Sequence, residues 1–177
     1  MSLLRFLGIQ GPAATTAPSA ETATVRRIVE ALERQVPEVA RYIARFAYVL
    51  GRVARADLSV STEETHAIER LVRERGGVPE EQAILVVQIA KSQAVLFGAT
   101  EDYLVTREFA RAATHEQKLA LLDCCFAVSA ADREISSEED AAVRQIASEL
   151  GLEHADFIAA RSAYRDYLAV LKQPNRR

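Results

Sequence analysis

The sequence predicts an all-α fold: a single domain of about seven to eight helices, built on a duplicated helix-loop-helix unit. Apolar residues recur with helical spacing from Glu21 onward, and the chain is rich in Ala, Glu, Arg and Leu. Signals of β-structure are missing, because there is no sustained alternation and no Asn-Gly or Asp-Gly hairpin turn. With 177 residues, 49% of them hydrophobic, the chain can bury a core without metal or disulfide support.

The chain divides into three parts by composition. Residues 1–20 form a short apolar tip, residues 3–9, followed by a linker rich in Pro, Ala, Thr and Ser. Residues 21–172 form the helical domain, and residues 173–177 form a tail. We expect the tip to dock on its own domain or to be disordered. Docking on a partner or on a membrane surface is the alternative.

Eight helices are predicted from the apolar spacing. The second is apolar on most of its sides, which predicts a central position, and Pro37 opens it at a tolerated first position. Gly76 and Gly151 follow the ends of later helices, where a left-handed residue is favoured. The predicted helices cover residues 22–35, 37–56, 62–75, 79–97, 102–112, 115–130, 137–150 and 155–171.

Charge and hydropathy limit the classes of partner. A net charge of −3 and a pI near 5.7 supply no basic field for phosphates, so we expect no nucleic-acid partner. No apolar run approaches the roughly 18 to 20 residues that span a bilayer. The first residues lack a credible cleavage site for a secretory signal. We therefore expect a cytoplasmic protein.

An internal repeat has an offset of 75 residues. Residues 53–64 align without a gap on residues 128–139, and the match continues through the following helix to its glycine. This duplication predicts two helix-loop-helix copies that superpose by a rotation, whose shared apolar positions face one core. The coinciding residues are Val53/Val128, Ala56/Ala131, Asp57/Asp132, Ser61/Ser136, Glu63/Glu138 and Glu64/Glu139.

Two kinds of acid occur in each copy of the repeat. The Ser-x-x-Glu spacing predicts a capping box, in which each side chain accepts the other's backbone N–H. The aspartates lie at helix C-termini, where a negative charge is disfavoured, so something must compensate them. They accept backbone N–H bonds within their loops, bind a divalent cation together with the glutamates, or form an acidic docking surface. The candidate metal ligands are Asp57, Glu63, Glu64, Asp132, Glu138 and Glu139.

The doubled pattern small-x-Ala-Asp-x-x-(Val/Ile)-Ser-x-x-Glu resembles the TerB-like family. This helical domain of tellurite-resistance proteins also occurs at the N-terminus of a membrane-linked J-domain co-chaperone. The resemblance covers about residues 41–157, and it departs from the family where Leu58 and Arg133 replace the usual glycine after the aspartate. It implies an all-α domain of two pseudo-twofold copies, a non-enzymatic role in stress response, and an acidic surface associated with divalent-metal binding.

Our leading interpretation is an adaptor in tellurite, metal or envelope stress. We expect protein partners, including partners at the inner membrane surface, a monomer or homodimer, and no cofactor other than a divalent cation such as Ca²⁺, Mg²⁺ or Mn²⁺. The alternative is a metal-dependent helical-bundle enzyme, since Glu63 and His66 form one Glu-x-x-His pair, although Ala141 occupies the histidine position of the second copy. A third interpretation is an interaction module that acts through residues 3–9.

The remaining reactive side chains have structural explanations. Cys124 and Cys125 are adjacent in an apolar helix, which predicts two free core thiols and no disulfide. Asp123 in the same helix lies on an exposed seam or, if buried, is paired; we favour the seam. The three histidines fall on charged stretches without a partner at i+4, which predicts exposed positions and no zinc site. They are His66, His115 and His154.

Overall fold

A computed structural model of the chain describes residues 20–53, 62–96 and 102–172, with side chains over 26–53, 65–90 and 103–171. These ranges contain α-helices and one short 3₁₀ helix, which confirms the all-α prediction. No helix in them combines the length and the apolar character needed to cross a membrane. The predicted tip, residues 3–9, lies outside the described residues. The helices are α1 (Ala20–Glu33), α2 (Pro37–Val53), α3 (Thr62–Gly76), α4 (Glu80–Leu96), α5 (Asp102–Ala112), α6 (His115–Ser129), α7 (Ser137–Glu149), α8 (His154–Ser162), a 3₁₀ helix (Arg165–Tyr167) and α9 (Ala169–Lys172).

Helix α2 is the centre of the domain, as its apolar sequence predicted. Ten of its 17 residues are buried, and it packs against α4, α5 and α6. Its aromatic side chains join those of α5, with ring centroids 5.8 Å apart for Tyr42 and Phe46 and 5.5 Å for Tyr42 and Phe109. Burial of one such side chain contributes about 1.5–3 kcal/mol, so this cluster holds α2 and α5 together.

The apolar positions shared by the two copies face one core, as the repeat predicted. Val53 and Val143 are buried in it, and Val128 and Ile68 pack against it. The first copy's loop falls within residues 54–61, outside the described residues. The pseudo-twofold relation of the copies therefore stays a prediction.

The C-terminal segment differs from the single helix predicted over residues 155–171. Helix α8 ends at Ser162, and a turn and the 3₁₀ helix precede α9. The break arises because Ile135 donates its N–H to the Tyr167 carbonyl at 2.7 Å and accepts the Ala169 N–H at 3.0 Å. Leu168 and Ile135 are each 1% exposed. These backbone groups therefore pair with a distant loop instead of continuing a helix, so the prediction of one helix was wrong.

Candidate functional site

The loop between α6 and α7 carries the second copy of the repeated motif. It turns tightly, because Ala131 and Arg133 donate their N–H groups to the carbonyls of Val128 and Ala130 at 3.1 and 2.9 Å. Arg133 has a φ of 71°, in the left-handed region that favours glycine. The turn is thus kept at the position where the resembling family has glycine, although a larger residue occupies it.

Asp132 bonds to its own loop. Its Oδ1 accepts the backbone N–H of Glu134 at 3.0 Å, a local turn typical of aspartate. This is one of the alternatives that the sequence left open for the aspartates. The hydrogen bond compensates the carboxylate for its position after the C-terminus of α6.

Ser136 and Glu139 form the capping box predicted from their spacing. The Ser136 Oγ accepts the Glu139 N–H at 3.1 Å, and the Glu139 Oε2 accepts the Ser136 N–H at 2.8 Å. Two N–H groups that the start of α7 would otherwise leave unpaired are therefore satisfied. Such a cap contributes about 0.5–2 kcal/mol.

The structure describes the other acids of the repeated motif only in part. Glu138 is exposed in the first turn of α7, where the helix dipole favours an acid. Asp57 lies outside the described residues, and Glu63 and Glu64 lie in the first turn of α3 without described side chains. Among the described side chains, no three His, Cys, Asp or Glu residues come together as a metal-binding group. Cation binding by the six acids remains a prediction.

A buried polar network near the core was not anticipated from the sequence. Arg52 on α2 donates from Nη1 to the Thr106 hydroxyl and to Glu149 Oε2, both at 2.5 Å. The Arg52 and Glu149 side chains are 10% and 8% exposed, so the pair joins α2 to α7 inside the protein. Burial by itself raises the pKa of Glu149, but hydrogen bonds from Arg52 and Gln145 leave this pKa below its ordinary value. The sequence feature that could have indicated this network is the position of Arg52 within the apolar run of α2.

Asp123 takes the paired alternative rather than the exposed seam. Its side chain is 25% exposed, and it accepts the Tyr164 hydroxyl at 2.8 Å and contacts Arg75 at 3.3 Å. Burial, followed by the hydrogen bond with Asp123, raises the pKa of Tyr164. The carboxylate therefore ties α6 to α3 and to the segment after α8.

The predicted core position of the two cysteines and the predicted exposure of the three histidines are confirmed. Cys124 and Cys125 are buried free thiols, and burial raises the pKa of Cys125 to about 12. Each histidine is exposed and has a local neighbour or a ring contact. His66 Nδ1 lies 2.9 Å from Glu69, His115 lies 3.8 Å from Asp156, and the ring of His154 stacks near Phe157.

Comparison with models of protein families matches residues 43–162 to the family described as tellurite resistance protein TerB. The match covers more than half of the chain, runs from α2 to the end of α8, and includes both copies of the acidic motif. No curated protein and no solved structure matches the chain.

Proposed function

Because the chain belongs to the TerB family of tellurite-resistance proteins, we propose that it is a cytoplasmic, non-enzymatic adaptor in the response to tellurite, metal or envelope stress. The family match over residues 43–162 carries this proposal. The geometry of the acidic motif is consistent with it, since Asp132 and Glu139 bond to the backbone of their own loop. His66, which an enzyme of the helical-bundle type would need at its metal, has Glu69 on its own helix as a partner.

Exposed apolar side chains provide the contacts that an adaptor needs. Tyr103 and Leu104 are adjacent at the start of α5 and are 51% and 50% exposed. Val170 and Leu171 are adjacent in α9 and are each 54% exposed. These adjacent exposed side chains are the part of the surface that we propose contacts a protein partner, including a partner held at a membrane.

Binding of a divalent cation is the second activity that we propose for the acidic loop. The hydrogen bonds of Asp132 and Glu139 each use one carboxylate oxygen, Oδ1 and Oε2. Glu138 is exposed in the same first turn of α7 as Glu139. Carboxylate oxygens are the ligands preferred by Ca²⁺ and Mg²⁺, and Mn²⁺ accepts them too.

Tellurite tolerance tests the adaptor role. A strain lacking the gene is complemented with wild type, with the double variant Tyr103→Ser/Leu104→Ser, or with Val36→Ser as a matched control. Val36 is 62% exposed and apolar but lies between α1 and α2. We expect rescue by wild type and the control and reduced rescue by the double variant, at equal protein levels and helical content. Full rescue by the double variant would show that Tyr103 and Leu104 are not needed for the adaptor role. A deletion strain with normal tellurite tolerance would refute the role in tellurite stress.

Thermal unfolding tests the cation. The full chain is melted with chelator and with millimolar Ca²⁺, Mg²⁺ or Mn²⁺, beside Asp132→Asn and Glu138→Gln. A bound ion stabilises by RT ln(1 + [L]/Kd), about 2.7 kcal/mol at 100 times Kd. We expect the ion to raise the melting temperature of the wild type and to have a smaller effect on the variants. A wild type that melts identically in chelator and in every ion would eliminate cation binding.

A further inference from the structure

A cavity of about 560 Å³ lies between α2 and the α3–α4 and α5–α6 connections. Its walls come from the first turns of α2, from the α3–α4 turn and from the α5–α6 turn. This volume is within the usual range of small-molecule sites. None of the repeated motif acids lines this cavity, so it is separate from the acidic loop.

Arg45 is the unusual residue of the cavity wall. Its side chain is 11% exposed, and its buried Nε has no hydrogen-bond partner among the described residues. Its remaining contacts are long: Nη1 lies 3.4 Å from the Glu108 carbonyl, and Nη2 lies 3.7 Å from the Glu108 carboxylate. Glu108 is held more closely by Arg111, at 2.6 Å. The Arg45 charge is therefore buried and only partly neutralised, a state that costs free energy until a negative group binds.

The charges around Arg45 favour a ligand with a single negative charge. Arg41 lies one turn earlier on α2 and also lines the cavity, but its side chain is partly exposed and pairs with Glu38 at 2.9 Å. The starts of α2, α4 and α6 and the ends of α3 and α5 border the cavity, so the helix dipoles offset one another only in part. Burial lowers the pKa of Arg45, Glu108 opposes this effect, and Arg41 adds to it. Arg45 would attract a ligand with two negative charges, but the carboxylate of Glu38, which also lines the cavity, would repel it.

The rest of the wall is mostly apolar and aromatic, and it also includes Gln82 and Gln117. Tyr42 and Phe109, with ring centroids 5.5 Å apart, both line the cavity, together with Val78 and Pro79. Burial, with a smaller effect of Cys124, raises the pKa of Tyr42 to about 12, so its hydroxyl stays neutral and does not repel an anion. Aromatic rings beside a cationic guanidinium suit a ligand with one ring and one acidic group.

We propose that this cavity binds a small aromatic carboxylate, with the carboxylate at the Arg45 guanidinium and the ring against Tyr42 and Phe109. A guanidinium edge presents two parallel N–H donors, which match the two oxygens of a planar carboxylate. A free aromatic acid and the C-terminus of a peptide ending in an aromatic residue share this chemistry. The site would give the domain a small-molecule or chain-end signal in addition to its protein contacts.

Nuclear magnetic resonance of the ¹⁵N-labelled full chain tests the proposal. The Arg45 Nε–Hε signal and the amides of Gly77 and Ala113 are followed during titration with phenylacetate, phenylacetamide, N-acetylphenylalanine or inorganic phosphate. We expect saturable shifts with phenylacetate at about 1 mM or below, and binding of the neutral amide at least about tenfold weaker. Tighter binding of N-acetylphenylalanine than of phenylacetate would identify the chain-end source, and the reverse order would identify the free acid. No saturable shift, equal binding of the amide, or preferred binding of phosphate would overturn the proposal.

Three variants test how Arg45 and its neighbouring charges contribute to phenylacetate binding. Arg45→Met is expected to weaken phenylacetate binding about tenfold or more, and Arg45→Lys to have an intermediate effect because it keeps the charge but not the paired donors. Arg111→Gln changes no lining residue but releases Glu108 toward Arg45, so we expect binding about twofold to fivefold weaker. Unchanged affinity in a folded Arg45→Met or in Arg111→Gln would contradict the charge balance of the cavity. If Arg45→Met fails to fold, the comparison of acid and amide on the wild type still decides.

Discussion

Replacement of Arg133 by glycine is expected to stabilise the protein. Arg133 has a φ of 71°, and a left-handed backbone costs an L-residue about 1–2 kcal/mol. Glycine avoids this cost, but it makes the unfolded chain more flexible, which costs about 0.5–1 kcal/mol. The difference is a net gain of about 0.5–1 kcal/mol in the free energy of unfolding. Arg133 is exposed, so the substitution leaves no cavity.

Two controls separate the backbone effect from the arginine side chain, which has contacts of its own. Arg133→Ala removes the side chain but keeps the Cβ atom, so Arg133→Gly should exceed it in stability by about 1 kcal/mol. Gly151→Ala is the reverse test, because Gly151 has a φ of 68° and an added Cβ meets nothing within 4 Å. It should lose about 0.5–1 kcal/mol, since backbone strain of about 1–2 kcal/mol is partly offset by the stiffer unfolded chain.

Urea unfolding monitored by circular dichroism measures these differences. With a slope of about 2 kcal/mol per molar urea, the expected gain raises the midpoint by about 0.3–0.5 M and the melting temperature by about 1–4 °C. The slope should stay the same in all variants, since the surface exposed on unfolding does not change. Arg133→Gly that is no more stable than Arg133→Ala would refute the left-handed conformation and the argument built on it.

Glu149→Gln is expected to flatten the acid side of the stability profile between about pH 3 and 7, measured by urea unfolding. Hydrogen bonds that include one from Arg52 hold the pKa of Glu149 below its ordinary value of 4.5 despite burial. The stability that the ionised Glu149 contributes is therefore present above pH 4.5 and is lost as pH falls through the pKa of the folded state. An unchanged profile in the variant would contradict the Arg52–Glu149 pair. Ser136→Ala should lose about 0.5–2 kcal/mol equally in chelator and in Ca²⁺, while alanine at the exposed serine that follows should cost much less; a loss that appears only with Ca²⁺ would show that the serine serves the ion. Cys124 and Cys125 should react with a disulfide reagent only after unfolding, because burial raises the pKa of both thiols, and rapid labelling of the folded chain would contradict that burial.

Features that depend on neighbouring residues were predicted from the sequence. The Ser136–Glu139 capping box followed from three residues of spacing, because both partners belong to one helical turn. The central position of α2 followed from apolar residues on most of its sides, since such a helix has to be buried. The doubled motif, read in register, also predicted the family.

Features that depend on distant partners were missed. The break in residues 155–171 comes from pairing with Ile135, more than 25 residues away, which outweighs the small helix preferences of the local sequence. Asp123 was favoured as exposed because its partner Tyr164 is 41 residues distant, and the Arg52–Glu149 pair spans 97 residues.

The same distinction applies to the two candidate sites. The acids of the repeat were found from sequence because their types and spacing recur, and their bonds in the second copy are local. The cavity beside Arg45 was not found, since its walls come from three separate parts of the chain and no motif joins them. The local sequence therefore determined the helices and their caps. The polar networks and the cavity were decided by the packing of the helices, because their energies depend on burial that no single segment provides.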